Sequence, residues 1–231
     1  MTADDLLMGK TLLVDKPLDW SSFQVVNKIK FCIKKQFKLK KIKVGHAGTL
    51  DPKASGLLVV CTGKATKGIP IIQNAEKEYE AIIKIGAQTL SYDTEHPEIN
   101  LKDFSMITNE EIEKTLAQFV GETEQKPPVF SAIKVQGARA YHLARKGREV
   151  QMKGRRITII SISKININLP YISFTVSCSK GTYIRSLAHD IGRALGTGAY
   201  LFALRRTRVG VYSVDAATDS YLTKDFRFTE F

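Results

Sequence analysis

The 231-residue sequence lacks the features of a membrane or secreted protein. It has no run of the roughly 18 apolar residues that a membrane span needs. Its first residues, MTADD, are acidic, whereas a secretory signal begins with basic residues followed by an apolar stretch. We therefore expect a cytoplasmic protein that does not contact a membrane.

Cysteine and histidine are also scarce. The three cysteines, Cys32, Cys61 and Cys178, lie far apart and form no CxxC pair, and the four histidines are equally scattered. These spacings argue against a disulfide framework and a zinc site. We expect no metal ion in this protein.

Acidic residues are the third shortage. The chain has 35 lysines and arginines against 23 aspartates and glutamates, a formal net charge of +12. Such an excess favours a polyanionic partner, although it can also serve solubility alone. Six lysines between positions 34 and 43 form either a solvated surface or a phosphate contact.

Local patterns predict one α+β domain over residues 1–231. Ser21 with Gln24 and Thr108 with Glu111 are capping boxes that each predict a helix start. Strands are predicted at 10–15, 57–61 and 79–85, a hairpin around Pro170, and a helix after residue 184. From 122 to about 151, prolines, glycines and basic residues replace these patterns, which predicts an inserted arm.

Residues 44–52 (VGHAGTLDP) are predicted to form a loop that contains the most informative polar side chains. Gly45 and Gly48 allow tight turns and close approach of a ligand to the backbone. Pro52 biases Asp51 toward an extended conformation, so its carboxylate projects from a stiffened segment. The alternative is a purely structural turn, because Asp and Pro are ordinary turn residues.

Seven segments together resemble the TruB family of tRNA pseudouridine synthases. In chain order they are LLVDKP (12–17), GHAGTLDPKASG (45–56), GKATK (63–67), KEYEA (77–81), QKPPVFSAIKVQGARAY (125–141), CSKGTYIRSLAHDIG (178–192) and LRRTRVG (204–210). The resemblance implies a central, mostly antiparallel mixed sheet flanked by helices, with an RNA-gripping insertion at residues 122–151.

The resemblance also implies three catalytic residues. Asp51 corresponds to the catalytic aspartate, Arg185 to the arginine paired with it, and Tyr79 to the tyrosine that stacks on the target base. A cation beside Asp51 would favour its ionised form. Arg185 lies at a predicted helix start, where a positive charge needs a compensating anion. Tyr79 fits equally well as a core residue of its strand.

Three further residues correspond to the family's substrate-binding positions. His46 matches a histidine that contacts the RNA, while Tyr183 and Leu204 match residues that line the uridine pocket. His46 could instead only hydrogen-bond the loop backbone, and Leu204 could be ordinary packing.

The implied reaction isomerises uridine-55 in the T-loop of tRNA to pseudouridine after the base has been flipped out. It involves no net redox change and no group donor, so we expect no cofactor. The partner is then the T-arm stem-loop, bound by a protein that we expect to be a monomer. Whether Asp51 attacks C1′, adds to C6 or removes a sugar proton stays open.

Two departures and three alternatives accompany the resemblance. Trp20 follows the KP turn, where relatives often have glycine and threonine. No PUA segment is seen after residue 210, so the arm and the lysines of 34–43 would bind the tRNA instead.

A P-loop around Gly63-Lys64 fails because Leu58 and Ala65 occupy its required positions. A non-catalytic RNA-binding module and the catalytic subunit of a guide-RNA particle are less consistent with the motifs.

Overall fold

The computed structural model describes residues 1–131, 133–135, 137–145, 147–148, 150–223 and 226–228, with only the backbone at 134 and 145. The helices are α1 (Ala3–Met8), α2 (Ser22–Gln36), α3 (Ile69–Asn74), α4 (Asn109–Gln118), α5 (Ala140–Arg145) and α6 (Ile184–Ala194). The strands are β1 (Thr11–Lys16), β2 (Val44–His46), β3 (Ala54–Thr62), β4 (Lys77–Ile85), β5 (Gly121–Gln125), β6 (Lys134–Val135), β7 (Ala138–Arg139), β8 (Arg155–Asn168), β9 (Tyr171–Cys178), β10 (Ala199–Val209) and β11 (Tyr212–Ser213). Helix and sheet are both abundant, so the predicted α+β class is confirmed.

The chain divides into two compact units. Unit 1 comprises Met1–Tyr79 and Arg205–Phe231, and unit 2 comprises Glu80–Leu204. Strands β4 and β10 each contribute residues to both units. The expectation of a single domain over 1–231 stays a prediction.

In unit 1, β3 pairs antiparallel with both β1 and β2. Leu58 and Val60 of β3 face one apolar cluster, which includes the buried stripe of α2, while Leu57 and Val59 face a second. Because both faces of β3 are covered, its sequence is a continuous apolar run rather than an alternating one. This burial explains why residues 57–61 were recognisable as a strand.

In unit 2, β8 pairs antiparallel with β9 and with β5. The β8–β9 pair confirms the hairpin predicted around Pro170. Helix α6 buries one face, including Leu187, Ala188 and Ile191. Residues 122–125 of the predicted arm lie in β5, and positions 132, 136, 146 and 149 of the arm lie outside the described residues, so its gripping role stays a prediction.

Both predicted capping boxes are present, at Ser21 for α2 and at Thr108 for α4. Two local features differ from expectation. Thr2 and Asp5 form a third capping box that starts α1, and the first three residues of the predicted 44–52 loop pair with β3 as strand β2. Within the described ranges, no helix has the length and apolar content that crossing a bilayer would require.

Candidate active site

In unit 1, Asp51 lies in the turn between β2 and β3, and its neighbours are fixed by hydrogen bonds. The Ser22 hydroxyl accepts from the Leu50 N–H at 2.8 Å and donates to the Leu50 carbonyl at 2.9 Å. On the other side, the Asp19 N–H donates to the Pro52 carbonyl at 2.8 Å. Since Ser22 is 2% exposed, these bonds do not compete with water. The backbone on both sides of Asp51 is therefore held in place.

Arg206 of β10 also binds this turn. It is 1% exposed, and its Nε donates to the Leu57 carbonyl at 2.7 Å. Its two Nη atoms donate to the carbonyls of Gly48 at 3.1 Å and Thr49 at 3.4 Å. One guanidinium thus joins the backbone before Asp51 to the strand that follows it.

Lys16 is a second buried cation in unit 1. Its ammonium donates to the carbonyls of Pro17 at 2.8 Å and Trp20 at 2.7 Å. Burial lowers the pKa of Lys16 to about 8, the Asp51 carboxylate opposes that shift, and the Arg206 charge adds to it. Trp20, the residue that departs from the usual turn, therefore supplies a carbonyl that helps to hold Lys16.

His46 and Tyr79 are the other predicted site residues of unit 1. His46 pairs with Val60 through its backbone, and its buried Nδ1 has no hydrogen-bond partner among the described residues. Burial, and then the charge of Arg206, lower the pKa of His46, so its imidazole is neutral at pH 7. Tyr79 is 8% exposed in β4 and is counted among the buried core residues.

In unit 2, Arg185 is 5% exposed near the start of α6. It donates to the carbonyls of Ser91 at 3.2 Å and Phe130 at 3.1 Å. One Nη lies 3.5 Å from a carboxylate oxygen of Asp93. The anion that a cation at this helix start requires is therefore supplied, within unit 2, by Asp93. The pairing of Arg185 with Asp51 stays a prediction.

Asp93 was missed in the sequence. It is 4% exposed, and its Oδ1 accepts from the Ser91 hydroxyl at 2.6 Å and from the Glu95 N–H at 3.0 Å, while Oδ2 is the oxygen that faces Arg185. The only signal was the Ser91-x-Asp93 spacing, which is equally typical of an exposed turn. A buried, hydrogen-bonded acid beside a buried arginine forms a rigid charged pair.

Tyr183 and Leu204 are the remaining predicted residues, both in unit 2. The Gln125 side chain accepts from the Tyr183 N–H at 2.8 Å and donates to its carbonyl at 3.0 Å. The Arg155 guanidinium lies 4.5 Å from the centre of the Tyr183 ring, a cation–π contact. Leu204 is half-buried in β10. Gln125 and Arg155 were not expected to position a site residue.

Unit 1 also contains a basic cavity of about 320 Å³. Its polar lining includes the exposed lysines Lys41, Lys43, Lys64 and Lys67, and Leu7 and Ile42 contribute apolar surface. Four of the residues that line this cavity are lysines, whose side chains can bind phosphate oxygens. Across the residues that the structure describes, no group of three or more His, Cys, Asp or Glu could hold a metal ion.

Family models match most of the chain. The model of the TruB family pseudouridylate synthase N-terminal domain matches residues 34–184, and that of the tRNA pseudouridylate synthase B C-terminal domain matches residues 185–226. Together they include all six predicted site residues.

Curated relatives match over nearly their whole lengths. Proteins named tRNA pseudouridine synthase B from Parabacteroides distasonis and Flavobacterium johnsoniae are each 49% identical, covering 96% and 97% of this chain and 94% and 99% of the relatives. The Bacteroides fragilis protein of that name is 53% identical over 91% of each chain.

Solved structures agree with this fold. A chain of a Cbf5–Nop10–Gar1 complex matches with a TM-score of 0.69 and 32% identity over 94% of this chain. A chain of an H/ACA RNP bound to a substrate RNA containing 2′-deoxyuridine matches with a TM-score of 0.63 and 30% identity over 90% of this chain. This protein spans about half the length of those chains, 54% and 49%. It belongs to the TruB family of pseudouridylate synthases, isomerases that convert uridine to pseudouridine in RNA.

Proposed function

We propose that this enzyme converts uridine-55 in the T-loop of tRNA to pseudouridine. The observation that carries the proposal is the turn around Asp51, in which hydrogen bonds to Leu50 and Pro52 fix the backbone on both sides of one carboxylate. Relatives that share about half of their residues with this chain bear the name tRNA pseudouridine synthase B.

The reaction needs a positioned carboxylate and requires neither a redox cofactor nor a group donor. The N1–C1′ bond breaks, the uracil turns, and C5 bonds to C1′. The proton on C5 then leaves to solvent while N1 gains one, so atoms and electrons balance. Asp51 acts as nucleophile or base, for which it must be ionised. We propose that Arg185 supplies the positive charge that favours this form.

The remaining residues bind the extruded nucleotide. A uridine in folded RNA leaves its stack and gains stability on an aromatic face, which we assign to Tyr79. Tyr183, whose backbone Gln125 holds, and Leu204 would line the uridine pocket. His46, neutral at pH 7, would contact the RNA as a hydrogen-bonding group rather than as a charge.

Binding of the T-arm would depend on phosphate contacts. The net charge of +12 and the four lysines around the basic cavity support this. The insertion at 122–151 would add a second set of contacts to the RNA. We propose a cytoplasmic monomer that selects its uridine from the folded T-arm itself and needs no guide RNA.

The test is tritium release from a T-arm stem-loop labelled at C5 of the target uridine, without guide RNA or added cofactor. Wild-type enzyme should release tritium, and Asp51→Asn should abolish release while RNA affinity stays within about 3-fold. Asp19→Asn is the matched control, because Asp19 is an exposed acid near the same turn, paired with Lys53 at 2.8 Å. It should keep nearly full activity. Turnover by Asp51→Asn at the wild-type rate would refute the assignment.

A further inference from the structure

We propose that Arg206 is a positioning residue of the reaction. Its guanidinium sets the backbone conformation of the turn that carries Asp51, without itself reacting. The inference rests on the proposed role of Asp51. It concerns the one arginine of the LRRTRVG segment that is buried, at 1% exposure, whereas the side chains of Arg205 and Arg208 are 38% and 37% exposed.

The first step is the placement of the three acceptors. Gly48 and Thr49 precede Asp51, and Leu57 follows it in β3, so the hydrogen bonds of Arg206 enclose the turn from both ends. The planar guanidinium can reach all three carbonyls at once because its donors point in fixed directions. A lysine at this position would keep the positive charge but could not donate to all three carbonyls in the same fixed directions.

The second step is the cost of losing those bonds. Two consecutive carbonyls of the turn point toward one cation, which is itself 1% exposed, and the third acceptor belongs to the buried Leu57. Without the guanidinium these carbonyls would lose their hydrogen bonds, which favours rotation of the peptide groups toward water or other donors. Rotation at Gly48 and Thr49 would move Asp51, which is only two residues from Thr49.

The third step is the contact between the backbones. Gly56 has a φ of +100°, and a Cβ there would collide with the Arg206 carbonyl and lie 2.8 Å from its nitrogen. The strand that carries Arg206 is therefore held directly against the far end of the Asp51 turn. This leaves the guanidinium little freedom to adjust if the turn shifts.

Arg205, the preceding residue, provides the matched control. It makes a bidentate ion pair with Asp15 at 3.0 and 2.7 Å, and its side chain is 38% exposed. It shares the strand, the charge and the side-chain length of Arg206, but its bidentate ion pair is with a carboxylate of β1. Removing it should leave the Asp51 turn unchanged.

The experiment compares Arg206→Met, Arg206→Lys and Arg205→Met. Single-turnover tritium release, measured with enzyme in excess over T-arm RNA, separates the chemical step from binding. We expect Arg206→Met to slow release on the order of 100-fold, as a displacement of about 1 Å can, with RNA affinity within about 3-fold. Arg206→Lys should restore roughly 10-fold of that loss by retaining one of the hydrogen bonds. Arg205→Met should stay within about 3-fold of wild type.

A second readout detects the guanidinium itself. The charge of Arg206 contributes to lowering the pKa of His46, so Arg206→Met should raise that pKa and Arg206→Lys should leave it nearly unchanged. An NMR titration of the imidazole is practical because the chain has four histidines. A residue that served only global stability would lower the unfolding midpoint without slowing tritium release from the folded enzyme.

The proposal is overturned if, well below its unfolding midpoint, Arg206→Met turns over as fast as Arg205→Met. It is also overturned if Arg206→Lys is as slow as Arg206→Met while the His46 pKa does not change in either. If Arg206→Met does not fold, the Lys variant decides alone, with about 10-fold slower release supporting the proposal and an unchanged rate refuting it. Failure of the wild type to release tritium would instead refute the proposed function.

Discussion

Two buried arginines, one in each unit, are stabilised differently. In unit 1, the hydrogen bonds described for Arg206 go to backbone carbonyls of Gly48, Thr49 and Leu57. In unit 2, Arg185 binds two carbonyls and also lies beside the buried carboxylate of Asp93. The first arginine orders a segment of main chain, while the second is itself held by an acid.

The difference predicts which changes each region tolerates. A cation that binds carbonyls can be replaced in part by another donor, because dipoles accept hydrogen bonds from several geometries. A buried cation that relies on an acid suffers when the acid is removed, since the remaining charge is desolvated and no longer compensated. The two regions should therefore differ most when an acid or a hydroxyl, rather than an arginine, is changed.

The largest effect is expected for Asp93→Ala. It removes the acid beside Arg185 and leaves that charge buried, so we expect a loss of roughly 3–5 kcal/mol in the free energy of unfolding. Urea unfolding measures it. Asp103→Ala is the control, because Asp103 is an exposed acid and its loss should cost at most about 1 kcal/mol. Equal effects of the two substitutions would show that Arg185 does not need its acid.

A smaller effect is expected for Ser22→Ala in unit 1. The substitution removes two buried hydrogen bonds to Leu50, one to its N–H and one to its carbonyl, at a cost of about 1–3 kcal/mol. Tritium release should also slow, because Leu50 precedes Asp51. Ser21→Ala is the neighbouring control. It loses the cap of α2 and about 1 kcal/mol, but release from folded enzyme should be unchanged.

The last effect is a dependence of stability on pH. The pKa of Lys16 is lowered to about 8 in the folded protein, so between about pH 8 and pH 10 the unfolded chain binds more protons than the folded one. Wild-type stability should therefore rise through this window relative to Lys16→Met. Urea midpoints of both proteins at several pH values measure the difference. The urea midpoint of Lys53→Met, a change at an exposed site, should vary with pH in parallel with that of wild type. A Lys16→Met midpoint that also ran parallel to wild type would contradict the prediction.

Local signals carried most of the fold prediction. The capping boxes at Ser21 and Thr108 are satisfied within one helical turn, so the neighbouring sequence contains all the information needed. The alternation along β4 reflects burial of one face, which also shows in a single segment. The third capping box, Thr2 with Asp5, starts a helix of only six residues, which is too short for the apolar periodicity that accompanies the other two boxes.

The candidate site was predictable only in part. Its motif residues stand out in the sequence, but the residues that hold them do not. Arg206 is one of three arginines in LRRTRVG, and no local pattern tells which of them is buried. Asp93 resembles an ordinary turn acid until β10 and α6 are placed beside it in the fold. Such contacts join residues that are far apart in the sequence, so they produce no periodic pattern in it.

The close approach of Gly56 and Arg206 also bears on protein engineering. Transplanting residues 45–56 into another scaffold would transfer the reactive group but not the arginine that hydrogen-bonds Leu57 from 149 positions further along the chain. A functional graft would have to include the matching piece of β10, at the same spacing from the glycine. The smallest transferable unit is therefore two segments rather than one loop.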